Sequence, residues 1–332
     1  MKSYSYKDKP LKVYGVPMFE KDGSLCKMPG YLREKYKLYK IIGGRCGGGR
    51  IRFKTNSKNL TVHIKLETLS VDIGLSIYTV QSADIFVGAP GQMKFLGLVY
   101  PNGYEQKEFQ QTFKLSGEMQ DVTIFIPRNE IVENVVVDID DDAQVEEPTP
   151  YKYEKPVLFY GSSITEAGSA CRVSNCFVSM LSEKLNMNFI NFGLAGSARG
   201  QLDVAEYIAS LDFSAFVMEY DHNANTAQLL KESHEPFFRV IRDAHPDIPM
   251  LLMSAVDYDY IDDADKREEV VYTTYKNSVD RGDKNIYFIP GRELFGETDR
   301  QLCTSDTIHP NDLGHYRMAN KIEPVLRKML EK

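Results

Sequence analysis

Residues 156–165 read Pro156-Val157-Leu158-Phe159-Tyr160-Gly161-Ser162-Ser163-Ile164-Thr165. Four apolar residues in a row predict a short strand covered on both faces, as in a parallel sheet. The run stops at Gly161, which lets the backbone turn sharply. Two serines follow, then a small, polar stretch through Gly168 and a helical pattern. A strand end that opens into such a loop is where α/β proteins place ligands. Taken alone, the stretch reads as an ordinary βα turn with surface serines. The rest of the chain changes that.

Downstream, strand and helix alternate. Phe177, Leu181 and Leu185 recur every fourth residue, the spacing of one helix face. Strands are predicted at 188–192, 215–220, 249–253 and 285–289, with helices between them at 202–210, on the face Leu230, His234, Phe237 and Ile241, and at 264–280. A last helix starts near Asp312, read as its N-cap, and contains Pro324. Five such alternations predict a parallel sheet with helices on both faces.

Upstream, the rhythm is different. Arg50–Thr55 and Leu60–Leu66 alternate apolar and polar residues, and the pattern continues at 74–80, 120–127 and 135–140. Short alternating runs with Gly- and Asn-rich punctuation predict an all-β sandwich, jelly-roll-like in kind. The glycine-rich Ile42–Arg50 lacks the Gly-Lys-Ser/Thr ending of a phosphate loop and precedes a strand, so it reads as a bend. His63 lies between Val62 and Ile64 and is expected to face solvent. The connector Glu146-Glu147-Pro148-Thr149-Pro150-Tyr151 resists helix and sheet alike. The expected domains are therefore 1–147 and 153–332.

Composition narrows the function classes. The 332 residues carry a net charge of −7 and no basic patch, which argues against a nucleic-acid partner. No apolar run has the length of a membrane span, and the N-terminal MKSYSYKDKPLK lacks the core of a secretory signal. The expected location is the cytoplasm. Five cysteines without CxxC spacing predict neither a disulfide framework nor a zinc site.

Three predicted strand ends carry unusual loops: Gly161-Ser162-Ser163, Gly193–Gly196 and Asp221-His222-Asn223. A fourth segment, Asp306-Thr307-Ile308-His309-Pro310, precedes the last helix. A serine nucleophile needs a histidine to take its proton and a carboxylate to hold that histidine's tautomer. Asp306 and His309 have a spacing that lets a carboxylate reach an imidazole in a tight turn. The oxyanion of acyl transfer needs preorganised donors. The N–H groups of Ser163 and Gly196 and the side-chain amide of Asn223 are the natural set.

GSSIT, FGLAGSARG, DHNA and DTIHP, in that order, resemble the four blocks of the SGNH (GDSL-type) hydrolases. The resemblance implies a serine esterase on a flavodoxin-like sheet. It places the nucleophile at Ser163, the oxyanion donors at Ser163, Gly196 and Asn223, and the base and its orienting acid at His309 and Asp306. The whole chain is similar to a subgroup with an N-terminal β-sandwich, several of whose members act on acetylated carbohydrates. Two positions depart from the family pattern. Ser162 stands where the family name has aspartate, and Asp221-His222-Asn223-Ala224 replaces the usual Gly-x-Asn-Asp.

The expected activity is hydrolysis of a short acyl ester, acetyl by preference, on a small molecule or oligosaccharide, with no metal and no organic cofactor. The alternatives are a thioesterase or lipid acylhydrolase with the same triad, or a non-catalytic carbohydrate-binding protein. A homo-oligomer stays open, while nucleic acid and membrane are not expected partners. Arg172, Arg199 and His222 are candidate substrate-binding residues. For both arginines a purely structural role competes. His315 reads as structural or exposed, His234 and His245 as helix and surface residues, and Cys171 and Cys176 as small buried fillers.

Overall fold

The computed structural model describes residues 1–332 apart from Ile73, Asn225 and Asp257. The chain divides into two compact units. The first comprises Met1–Glu154 with Cys171–Asn175 and Ser182–Ile190; the second comprises Lys155–Ala170, Cys176–Leu181 and Asn191–Lys332.

The first unit is built on strands β1 (Lys2–Ser5), β2 (Lys12–Tyr14), β3 (Arg50–Thr55), β4 (Asn59–Leu66), β5 (Ala83–Val87), β6 (Lys94–Val99), β7 (Glu108–Lys114), β8 (Gln120–Phe125), β9 (Val132–Ile139) and β10 (Val145–Glu146). They form two antiparallel sheets, one ordered β1-β9-β4-β7 and the other β10-β3-β8-β5-β6, with β2 also on β3. Val62, Ile64 and Val137 of the first sheet share one buried core with Ile51, Phe53, Ile85 and Ile124 of the second. Each sheet thus buries one face of its alternating residues against the other, the sandwich that period-two patterning specifies.

Two readings of this region are corrected. Residues 74–80 are not a strand: Ile77–Val80 is one helical turn, with Ser76 accepting from the Thr79 N–H as its cap. Strands β5, β6 and β7 escaped the pattern. β6 carries Gly97 in its interior and is largely unburied, so it shows neither β-branched bulk nor clean alternation.

The second sheet system follows the predicted rhythm. β11 (Tyr153–Gly161), β12 (Met187–Gly193), β13 (Ala215–Glu219), β14 (Met250–Met253) and β15 (Ile286–Ile289) form one sheet ordered β12-β11-β13-β14-β15. The pairs β11–β13, β13–β14 and β14–β15 are parallel. Helices follow the strands in turn at Phe177–Leu185, Leu202–Ala209, Ala227–Ala244, Ala264–Asp280 and Asp312–Leu330. Counted from β11, the order is the 2-1-3-4-5 of flavodoxin-like folds, whose chain reverses direction across the sheet between its first and third strands. The loops after β11 and β13 therefore open at that switch point. β12, β13 and β14 are buried along their whole length.

The last helix is capped differently from the reading. Asn311, not Asp312, is the N-cap, and its Oδ1 accepts from Leu313 N–H at 3.0 Å and Gly314 N–H at 3.2 Å. Among the described residues no helix is long and apolar enough to cross a membrane. Asn311→Ala removes this cap and should lower unfolding stability by ~1 kcal/mol, measured as a shifted urea midpoint with an unchanged slope.

Candidate active site

The C-terminal end of β11 delivers the Ser162-Ser163 turn. Gly161 fits there because it carries no side chain: a Cβ would collide with Thr165 Oγ1 and with the Glu219 carbonyl of β13. Ser162 N–H donates to that same carbonyl at 3.1 Å. The turn is thereby tied to the neighbouring strand.

Beneath it lies a group that pattern reading missed. Glu219 ends β13 and is 1% exposed. Its carboxyl lies 3.1 and 3.3 Å from Ser162 Oγ and 3.0 Å from Thr165 Oγ1. Ser162 Oγ also accepts from Ile164 N–H at 3.1 Å. Burial, and then the charge of Asp221, push the Glu219 carboxyl up to about 8, against the opposing pull of Thr165, His222 and Ser162. At neutral pH it is held mostly protonated, and the two hydroxyls are partners able to donate or accept. The signal was present in the sequence: one glutamate closes an otherwise apolar strand, Ala215-Phe216-Val217-Met218-Glu219.

Ser163 is left pointing elsewhere. Its Oγ lies 2.8 Å from His309 Nε2. His309 Nδ1 lies 2.7 Å from Asp306 Oδ2. An ionised carboxylate only accepts, so Nδ1 carries the proton and Nε2 presents its lone pair to the serine hydroxyl. Asp306 Oδ1 meanwhile accepts the backbone N–H of His309 at 2.7 Å and of Ile308 at 3.1 Å. Burial pushes the Asp306 carboxyl up, but these N–H groups and the imidazole outweigh it and hold it below the usual range. The turn is closed by Ser305 N–H donating to the His309 carbonyl and by the Thr304–Pro310 bridge. Thr307 inside it adopts φ +72°, a left-handed conformation that a β-branched residue keeps only under local constraint.

The flanking strands bring donors. The loop after β12 is fastened to the serine loop by Asn191 Nδ2, which donates to the Thr165 carbonyl, and by Ala195 N–H, which donates to Glu166 Oε2. Gly196 follows, exposed, with φ +65° and open space where a side chain would point. Asn223 ends a short turn after β13, and its Oδ1 accepts from Ala198 N–H at 3.3 Å. That bond turns the Nδ2 amine away from Ala198. The N–H groups of Ser163 and Gly196 and the Asn223 Nδ2 donate to no other group among the described residues. In the sequence this loop runs on to Asn225, which lies outside the described residues.

The remaining candidates separate. Arg199 is exposed in the second unit, with an Nη2 donating to the Gly196 carbonyl at 3.4 Å. His222 is half-buried beside Asn223. Arg172 groups with the first unit, its guanidinium 3.9 Å from the Phe95 ring centre and its Nε donating to Ser174 Oγ at 3.0 Å. His315 is structural: Nε2 donates to the Gly168 carbonyl at 3.0 Å and Nδ1 accepts from Phe177 N–H at 3.3 Å, which steadies the end of the serine loop. His234 lies in a helix, as read, but is not at the surface. His234 is fully buried on Thr274 and stacked on Tyr220, and burial drives its imidazole down to about 3. His245 is half-buried against Phe213 and bonded to the Ala209 carbonyl. Cys176 is buried as read, but Cys171 is exposed. Among the described residues no cluster of His, Cys, Asp and Glu has the make-up of a metal site.

With this geometry in hand, comparison with known proteins gives a consistent answer. Residues 154–327 match the model of the GDSL-like lipase/acylhydrolase family, and residues 6–145 match that of the N-terminal region of SGNH-hydrolase-type esterases. The chain belongs to the GDSL-like lipase/acylhydrolase family. It is an ester hydrolase of that family, with the SGNH-type sheet and an N-terminal β-rich region. The structure is similar to that of a Bacteroides ovatus ATCC 8483 protein described as a GDSL-like lipase, at 23% identity and TM-score 0.87, over 99% of this chain and 98% of that one. It is similar to a salicylyl acyltransferase of a tetracycline biosynthetic pathway, at 19% identity and TM-score 0.78, over 99% and 96%. It is also similar to a family two carbohydrate esterase from Clostridium thermocellum solved with cellohexaose, at 14% identity and TM-score 0.64, over 86% and 94%. At these identities the structural likeness speaks for fold. A search of curated protein sequences finds no match.

The buried Glu219 has a stability consequence. An acid whose folded value is raised binds a proton in the folded state that the unfolded chain has released. Its contribution is full below about 4.5 and is lost as pH rises towards about 8. Glu219→Gln should therefore flatten the fall in thermal midpoint across that window, relative to the parent chain. Parallel falls in both proteins would show that Glu219 ionises normally.

Proposed function

We propose that the chain hydrolyses short-chain, chiefly acetyl, esters of carbohydrates through an acyl-enzyme on Ser163. The observation that carries this reading is the continuous line Ser163 Oγ, His309 Nε2, His309 Nδ1 and Asp306 Oδ2, joined at 2.8 and 2.7 Å. His309 takes the Ser163 proton as the oxygen attacks the ester carbonyl, and Asp306 holds the tautomer and balances the imidazolium. Ser163 N–H, Gly196 N–H and Asn223 Nδ2 supply the donors for the tetrahedral oxyanion. His309 then protonates the departing alcohol. Water, activated by the same imidazole, releases the acid and restores the serine. In this reading every role falls to a side chain or backbone N–H of the chain.

The carbohydrate part of the reading draws on the likeness to the family two carbohydrate esterase. In this reading Arg199, exposed and bonded to the Gly196 carbonyl, contacts sugar hydroxyls. His222, half-buried beside Asn223, stands as a further candidate for substrate contact.

Ser163→Ala should lower kcat for p-nitrophenyl acetate by about 10⁴-fold or more while leaving the circular dichroism spectrum unchanged. Undiminished turnover would remove Ser163 from the mechanism, and failure of the parent chain to react with a fluorophosphonate probe would point to a non-catalytic protein. Across p-nitrophenyl esters of rising chain length, kcat/KM should be highest for acetate. A maximum at long acyl chains would instead support a lipid acylhydrolase. Acetate release from acetylated oligosaccharides, assayed directly, checks the alcohol side.

A further inference from the structure

The sandwich carries a cavity that the esterase reading leaves unused. It has a volume of about 500 Å³ and lies wholly within the first unit, on the outward face of the β1-β9-β4-β7 sheet. Strand register builds its floor. Val136, His63 and Gln110 sit side by side on β9, β4 and β7, and Asn134, Lys65 and Glu108 form the next row. Residues directly opposite one another across a sheet point to the same face, and the intervening Val62, Ile64, Val135 and Val137 fill the core. The segment between β6 and β7 adds Tyr100, Asn102 and Gln106 to the lining.

The chemistry of this lining selects a ligand class. Its one lysine is held by two carboxylates: Lys65 lies 3.0 Å from Glu133 and 3.4 Å from Glu108, and His63 lies 2.6 Å from Asp138. No cation is left over for an anionic ligand. The groups without a partner among the described residues are neutral, namely the side-chain amides of Gln110, Asn134 and Asn102 and the Tyr100 hydroxyl. An amide offers an adjacent donor and acceptor, the complement of neighbouring hydroxyls on a sugar ring. Tyr100 is half-buried and set edge-on to Tyr78, with ring centres 5.0 Å apart. It offers a held aromatic surface together with a hydroxyl. Val136 and the Lys65 stem supply an apolar strip between polar groups.

The wall is also preorganised. Gln106 Oε1 accepts from Asn102 N–H, and its Nε2 donates to the Glu108 carbonyl, both at 2.8 Å. Tyr104 bonds to the Leu75 carbonyl and Lys107 to that of Glu67. A wall fixed before binding loses little freedom on binding. The volume is within the usual range of small-ligand sites, about 300–1,000 Å³.

We propose that this cavity binds a segment of an uncharged glycan, independently of the catalytic site. The test uses the full chain carrying Ser163→Ala, so that no acyl group on the probe is turned over. Its migration is followed in native gels containing hydroxyethyl cellulose, galactomannan or xyloglucan, with polygalacturonate as the charged comparison. At least one neutral polymer should retard the chain. Tyr100→Ala, and Gln110→Ala combined with Asn134→Ala, should each weaken that retardation by roughly tenfold or more at an unchanged thermal midpoint. Gln110→Glu with Asn134→Asp, which keep size and shape, should weaken it too and cover any loss of fold in the truncated variants. No retardation by any neutral polymer, or retardation by polygalacturonate alone, would overturn the proposal. So would retardation that survives all the variants, which would place glycan binding elsewhere on the chain. The result does not depend on whether Ser163 proves to be the nucleophile.

Discussion

The backbone at Gly161 has no room for a side chain, and much of the second unit follows from that. Thr165 Oγ1 and the Glu219 carbonyl occupy the space a Cβ would need. Because they do, the chain leaving β11 turns at once and stays against the end of β13. Ser162 N–H completes the attachment through the same carbonyl. A parallel sheet cannot supply such a turn by itself, since its strands end in unpaired backbone groups. The turn is satisfied by the Glu219 carbonyl of the neighbouring strand and by the Ser162 hydroxyl of its own loop.

Glu219 explains the residue at which the chain departs from its family's pattern. Ser162 stands where the family name has aspartate, yet a carboxyl is still present at this level of the sheet. It arrives from β13 and meets Ser162 and Thr165. Ser162 spends its hydroxyl on Glu219 and on Ile164 N–H. Its neighbour Ser163 faces the imidazole. Two adjacent serines thus have separate tasks, and which does which is set by the partner each meets. Histidines divide in the same way. His309 is half-buried and oriented by a carboxylate, whereas His315 is buried on the Gly168 carbonyl and His234 on Thr274, and burial of His234 disfavours its charged form.

The two units show how one kind of patterning carries two kinds of surface. In the sandwich, alternation sends Val62 and Ile64 inward and His63 and Lys65 outward on a single strand. The inward set makes the core. The outward set, aligned with β7 and β9, makes a polar cavity whose one lysine is already paired with carboxylates. In the parallel sheet, β12, β13 and β14 have no outward face to offer, so chemistry is confined to the loops at their ends.

The amino-acid order alone determined the alternation of strand and helix, the sandwich ahead of it, and the four blocks that carry Ser163, Gly196, Asn223, Asp306 and His309. Those features are local: periodicity, turn residues and short spacings are written into neighbouring positions. The gaps were of two kinds. Where local signals were weak or misleading, the outcome was decided by side-chain caps over a few residues at 74–80 and Asn311, and by backbone pairing with β5 at Gly97 of β6. Where partners are distant in the chain, only the tertiary structure could decide. Glu219 meets Ser162 across 57 positions, His315 meets Gly168 across 147, and the cavity floor joins three strands. Burial raises the Glu219 carboxyl and lowers the His234 imidazole because each has lost its water. Loss of water is a property of the packed fold, and no stretch of sequence specifies it by itself.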